Sequence, residues 1–246
     1  MAVPDDVGGR TSGRRPGRTG GGDKRIAVLI SGRGSNLKAL IDACRDGRIS
    51  GRIVLVISNR PDAPGLDHAR AHDIPHAVVD HCRFPDREGF ERELAAVLDG
   101  YAPDLVVLAG FMRVLTPGFV AGFDGRMINI HPSLLPEFRG LDTHARALAA
   151  GAGIHGASVH FVTAELDGGP VVMQARVPVC PGDTPDSLAE RVHAAEHRLY
   201  PTVVDLICSG RIHAAGDSVW FDGRPLQRPL LLEDTPETTT PCAGNI

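Results

Sequence analysis

The chain is poor in aromatic residues: one tryptophan, two tyrosines and eight phenylalanines make up 4% of its 246 residues. A protein that reads single-stranded nucleic acid by stacking bases on rings has little to work with here. A positive excess is missing too. Lysine and arginine number 26 against 30 aspartates and glutamates, a formal net charge of −4. That is the reverse of a surface built for phosphate backbones. Cysteine is scarce. Cys44, Cys82, Cys180, Cys208 and Cys242 are odd in number and widely spaced, with no C-x-x-C pair. Neither a zinc ribbon nor a disulfide framework is suggested, and a reducing cytoplasm is the simplest compartment. Long apolar runs are absent. The longest, Leu105 to Met112, falls far short of the roughly 20 residues that cross a bilayer. The arginine-bearing N-terminus has no apolar segment behind it of the kind a secretory signal carries.

What is present is ordinary globular composition, 42% hydrophobic and 23% charged, enough to bury a sizeable core. Residues 1–23 stand apart: "VGGRTSGRRPGRTGGGD" is Gly/Arg-rich with almost no large apolar side chain. It is expected to be a disordered tail, its arginines either solvated or available to an anionic partner. Residues 223–246 are rich in proline and threonine and are expected to form a loose C-terminal tail. Residues 24–222 read as a single domain with two lobes.

Within that domain, apolar runs alternate with helical patterns. Strands are expected over 24–31, 52–59, 76–80, 104–110 and 126–131, and helices over 36–47, 66–74 and 86–100. The alternation predicts an α/β fold: an open, mostly parallel, doubly wound (Rossmann-like) sheet with helices on both faces. Past residue 131 the pattern changes. Strands at 156–162 and 169–179 have no helix between them. A long helix follows over 184–210, open to interruption at Pro201, and then a terminal hairpin over 212–221.

"SGRGSN" (31–36) joins the first strand to the first helix. Gly32 and Gly34 permit tight turns, and the helix beyond them offers free N–H groups and a positive dipole end, which suits a phosphate. It is not a Walker loop, and Leu37 stands where a dinucleotide fingerprint needs its third glycine. A monophosphate fits better than NAD. A plain glycine turn capping a helix would read the same.

In "MINIHPSLLPEFRG" (127–140) Asn129 and His131 stand two apart, so on a strand they share a face. An amide and an imidazole converging on one point resemble an oxyanion-stabilising pair, and His131 can move protons near neutral pH. A core asparagine and histidine satisfied by backbone are the alternative. "VTAELDGGP" (162–170) places Asp167 on a glycine turn. Set against His131, its carboxylate would stabilise the imidazolium and raise the histidine pKa.

"HAAEH" (193–197) matches the inverted zinc-protease pattern H-x-x-E-H. The apolar stripe Leu188, Val192, Ala195, Leu199 puts His193 and His197 on the opposite, wet face of a helix, which argues against a metal site.

Taken together, "ISGRGSNL", "APDLVVLAGFMRVL", "INIHPSLLPEFRGLDTH", "HGASVHFVTAELDGGPVV" and "AEHRLYP" resemble, in order and spacing, the signatures of folate-dependent phosphoribosylglycinamide formyltransferases, the glycinamide ribonucleotide transformylases of purine biosynthesis. The resemblance covers about residues 25–222. It implies formyl transfer from 10-formyltetrahydrofolate, as co-substrate and without a metal, to the amine of glycinamide ribonucleotide. It implies that Gly34, Ser35 and Asn36 bind the substrate phosphate and that Glu196 contacts the ribonucleotide. Folate would be held by Arg87, Met112, Arg113, Val114 and Leu115, with Asn129 beside it and the loop 163–167 closing over the ring. Asn129, His131 and Asp167 would be catalytic. Expected partners are these small molecules and no nucleic acid or membrane, with a homodimer open. Arg33, in a variable place of the loop, and Asp142, where some relatives carry histidine, depart from the pattern without removing a needed group. A methionyl-tRNA formyltransferase would need a further tRNA-binding domain, and a formyltetrahydrofolate hydrolase an N-terminal regulatory domain. The monophosphate loop disfavours a sugar-nucleotide formyltransferase. A non-catalytic nucleotide-binding protein could dispense with the Asn/His/Asp set.

Overall fold

The computed structural model describes residues 23–232, so the tail expected over 1–23, save its last residue, and residues 233–246 of the tail expected over 223–246 lie outside the described residues. The chain alternates as anticipated: β1 (Lys24–Ile30), α1 (Ser35–Arg45), β2 (Gly51–Ser58), α2 (Gly65–Ala71), β3 (His76–Val78), α3 (Arg87–Tyr101), β4 (Leu105–Leu108), α4 (Pro117–Ala121), β5 (Met127–His131) and α5 (Thr143–Ala149). Then come β6 (Ile154–Phe161), β7 (Val171–Pro178), α6 (Pro185–Cys208) and the hairpin β8 (Ile212–Ala215)–β9 (Ser218–Phe221), followed by β10 (Arg224–Pro225) and β11 (Leu230–Leu231).

Eight strands form one sheet in the order β11-β7-β6-β5-β4-β1-β2-β3. The run β3-β2-β1-β4-β5 is parallel, whereas β6 pairs antiparallel with both β5 and β7. Burial on both faces explains the unbroken apolar strands. In β1, Ile26, Val28 and Ile30 enter one core with Leu37, Leu40 and Ile41 of α1 and Leu188, Val192 and Leu199 of α6. Ala27 and Leu29 enter the other with Phe90, Leu94 and Leu98 of α3.

Three expectations are corrected. Pro201 does not interrupt α6, which runs unbroken for 24 residues. Pro201, Val203, Val204 and Cys208 are buried beyond it, and that packing outweighs the one main-chain bond proline removes. The stretch from 223 is not loose throughout: β10 extends the hairpin and β11 adds an edge strand parallel to β7, pairing Leu230 with Met173. Cys180 is disulfide-bonded, a bridge that wide spacing in sequence could not signal. Among the described residues no helix is long and apolar enough to cross a membrane.

Candidate active site

The strand order reverses direction at β1, which has β2 on one side and β4 on the other. At such a switch point the loops leaving the strand ends part and open a crevice. A cleft of about 970 Å³ lies there, lined by the loops after β1, β4 and β5, the turn after β6 and one side of α6. It holds Gly34, Ser35, Asn36, Met112 to Leu115, Asn129, His131, Asp167 and Glu196 together.

At one end stands the N-terminus of α1. Gly34 caps it with φ of 73°, in the left-handed region, and among the described residues no side chain bonds to the first-turn amides. A Cβ on Gly34 would sit 2.7 Å from the Cα of Gly65, where α2 begins. The glycine therefore serves both the turn and the close approach of two helix starts. The uncapped first turn of α1 is left to receive an anion.

Beside it runs the segment after β4, pinned at both ends by buried polar groups. Ser31 Oγ accepts from the Met112 amide at 2.7 Å and donates to Asn59 Oδ1 at 2.6 Å. At the far end Glu91, 5% exposed, accepts from the Thr116 amide at 2.7 Å and from its hydroxyl. Between these anchors no backbone hydrogen bond ties Arg113, Val114 or Leu115 to another described residue. Their main-chain groups remain for a ligand, and Met112 and Val114 present exposed apolar side chains.

The floor of the cleft carries Asn129 and His131, side by side at the end of β5. Asn129 lies opposite His160 across the β5–β6 pair, and its Nδ2 is 3.2 Å from His160 Nε2. His160 Nδ1 donates to the Phe161 carbonyl oxygen at 2.9 Å. Its Nε2 is therefore a lone-pair acceptor that orients the Asn129 amide. Burial lowers the pKa of His160 and keeps it neutral.

His131 Nε2 donates to the Phe138 carbonyl oxygen at 3.0 Å, and Nδ1 stands 3.5 Å from Asp167 Oδ2. Both ring nitrogens thus face oxygen acceptors. Asp167 Oδ2 also accepts from the Gly140 amide at 2.9 Å, tying the turn after β6 to the loop after β5. The glycines behind Asp167 serve contact rather than flexibility: a Cβ on Gly169 would lie 1.9 Å from the Phe161 carbonyl oxygen.

Glu196 departs from the zinc-protease reading. It is 4% exposed on α6 and accepts from Asn36 Nδ2 at 2.8 Å. Burial pushes its carboxyl up to about 7, with the Asn36 bond pulling the other way. Tyr200, one turn on, donates to the Leu108 carbonyl oxygen at 2.9 Å, locking α6 against the strand ends. The expectation that His193 and His197 lie on a wet face is corrected. Both are half-buried, and His193 lines the cleft, because α6 packs between the sheet and α1 and α5 on flanking sides.

Arg87 alone of the expected residues lies outside the main cleft. It lines a smaller polar cleft of about 280 Å³ with His81, Phe84, Asp86 and Phe90, and Arg113 borders both. Sequence reasoning missed Ser31, Asn59, Glu91, Phe138 and His160, which act by holding other groups. His160 had a signal: its i, i+2 relation to Ser158 on a strand facing Asn129.

Comparisons agree with this geometry. A model of the formyl transferase family matches residues 24–204. The phosphoribosylglycinamide formyltransferase of Escherichia coli is 51% identical over 201 residues, covering 82% of this chain and 95% of that one. The enzyme of the same name from Haemophilus influenzae is 43% identical over 205 residues, covering 83% and 97%. The solved phosphoribosylglycinamide formyltransferase of Coxiella burnetii superposes with a TM-score of 0.83 at 49% identity, covering 86% of this chain and all of that one.

Proposed function

The chain belongs to the formyl transferase family, and from that footing we propose that it transfers the formyl group of 10-formyltetrahydrofolate to the amine of N1-(5-phospho-D-ribosyl)glycinamide, releasing the N-formyl product and tetrahydrofolate in de novo purine (IMP) biosynthesis. One observation carries the reading. A single cleft has an uncapped helix N-terminus at one end, the Asn129–His131–Asp167 set on its floor and a pinned segment with free main-chain groups beside it.

The substrate phosphate sits on the first turn of α1 at Gly34, Ser35 and Asn36, and Glu196 meets the ribose or glycinamide end. The pterin lies against Met112 to Leu115, its tail toward Arg113 and Arg87. The amine attacks the formyl carbon, and the new oxyanion is held by the Asn129 amide and His131. One such donor is worth roughly 3–4 kcal/mol in the transition state. The attacking nitrogen gives up a proton and the departing folate nitrogen gains one, with His131 and Asp167 nearest to the path. Alignment of two bound substrates supplies much of the rest. No metal takes part, and every proposed residue comes from one chain. We place the reaction in the cytoplasm, with no nucleic-acid partner.

The test is formyl transfer by the purified chain, following tetrahydrofolate release with and without the ribonucleotide. Release that depends on the ribonucleotide is expected. Release without it would mean hydrolysis, and no release would remove the substrate assignment.

A further inference from the structure

Outside the cleft, the described residues contain one group of three metal-ligating side chains whose donor atoms all lie within 4.8 Å of one another: Asp80, His81 and Cys82. They occupy a single 3-10 turn, His81–Arg83 with Asp80 as its cap, just past the carboxyl end of the edge strand β3. Cys82 is exposed, and Asp80 and His81 are partly so.

The histidine is held as a ligand would be. His81 Nδ1 lies 2.9 Å from the Asn59 carbonyl oxygen and 3.2 Å from Asn59 Nδ2. The nearer partner can only accept, so Nδ1 carries the ring proton and Nε2 carries the lone pair. An imidazole fixed through one nitrogen by a main-chain carbonyl, with the other turned outward, is the usual posture of a metal-binding histidine.

The spacing also fits. Zinc-type bonds of roughly 2.0–2.1 Å to nitrogen and 2.3 Å to sulfur, at a tetrahedral angle, separate the two donors by about 3.5–3.6 Å. His81 Nε2 and Cys82 Sγ are 3.6 Å apart. Asp80 Oδ1 caps the Cys82 amide at 3.0 Å, which fixes the carboxylate beside the pair. The neighbouring cation Arg60 is already paired with Asp62 by two hydrogen bonds. A thiolate and an imidazole favour soft divalent ions over magnesium or calcium.

We propose that Asp80, His81 and Cys82 form a binding site for a soft divalent cation of the zinc class, with three protein donors and water completing the shell. Binding replaces the Cys82 thiol proton: the S–H bond breaks, the sulfur–metal bond forms and one proton leaves to solvent. No residue assigned to formyl transfer is a ligand. The site nonetheless adjoins the cleft, because Asn59, which holds His81, also accepts from Ser31, and Ser31 holds the Met112 amide.

Cobalt(II) is the first probe, titrated into the reduced, chelator-treated full chain, followed by competition with zinc(II). One ion per chain is expected, with a near-ultraviolet thiolate-to-cobalt band and release of about one proton per ion. C82S should abolish the band and H81A should weaken zinc binding by at least about tenfold. C82S leaves the proposed transfer machinery untouched and should keep basal activity, so a lost site is distinguishable from a lost fold. No uptake by the wild-type chain, or uptake and a band that C82S leaves unchanged, overturns the site.

Discussion

His131 spends its Nε2 proton on the main-chain oxygen of Phe138, 3.0 Å away. The group proposed as an oxyanion donor is thus engaged by a main-chain carbonyl. For His131 to serve the reaction, the new oxygen must take the place of Phe138. The loop carrying Phe138 is anchored on both sides: at its base Ser158 Oγ donates to the Ser133 carbonyl and accepts from the Leu135 amide, at 2.7 and 3.0 Å. Beyond Phe138 the Gly140 amide donates to Asp167 Oδ2 at 2.9 Å, and Arg146 donates to the Arg139 carbonyl at 2.6 Å. Exchange therefore asks for a local shift at Phe138, between these anchors, rather than a rearrangement of the sheet.

Replacing His131 with alanine should lower kcat by about 10²–10³-fold or more, the scale of losing one oxyanion donor. Ribonucleotide affinity, set at the far end of the cleft, should hold. Steady-state kinetics and equilibrium binding check this together. A variant with near-normal kcat would remove His131 from the chemistry.

Asp167→Asn keeps an oxygen acceptor for the Gly140 amide, 2.9 Å away in the parent, and removes the negative charge beside His131. The fold should survive, with a melting temperature close to the parent's, while kcat drops by about 10²-fold. Equal losses in melting temperature and activity would make Asp167 a structural turn residue instead.

How much of this was legible differs by element. The strands β1, β2, β4 and β5 were plain because parallel strands buried on both faces read as continuous apolar runs, as in Ile26 to Ile30. α4 and α5, at five and seven residues, are too short to display a helical period. β10 and β11 have two residues each and exist only through their neighbours. Asn129, His131 and Asp167 stood out as candidates because they sit in short motifs, and the fold brings the three to one cleft. Asn59 could not, since it acts on a residue 28 positions away, and His160 offered only its alternation with Ser158, since the residue it holds is 31 positions away and only the fold sets those contacts.

The anchors of the 112–115 segment should separate the two substrates. Ser31→Ala removes the acceptor of the Met112 amide, and Glu91→Gln weakens the hold on Thr116. Each should raise KM for the folate co-substrate several-fold, since a lost hydrogen bond is worth about 1 kcal/mol, and leave KM for the ribonucleotide nearly unchanged. Matched increases in both constants would argue for general loosening of the sheet edge.

Gly169→Ala should be among the most damaging single-methyl changes in the chain. The added Cβ would meet the Phe161 carbonyl oxygen at 1.9 Å, so the turn carrying Asp167 must lift from β6. Activity should fall far more than for Gly153→Ala, where a Cβ meets nothing within 4 Å. Comparable activities would mean the turn relaxes without moving Asp167.

The stability of the fold should carry a titration from Glu196, whose carboxyl is held near 7 by burial against an ordinary value of 4.5. Below the ordinary value the carboxyl is protonated in both folded and unfolded chains and contributes no difference. As pH rises from there to about 7, the unfolded chain gives up its proton while the folded chain keeps it. Stability therefore declines through that window and levels off above it, by about 3 kcal/mol at most. Glu196→Gln removes the titration, so its stability should decline less than the parent's between the two ends of the window. Denaturant midpoints across that range give the measurement. Parallel curves would mean that Glu196 ionises as freely in the fold as outside it, and that the Asn36 bond and its burial exert no hold on its proton.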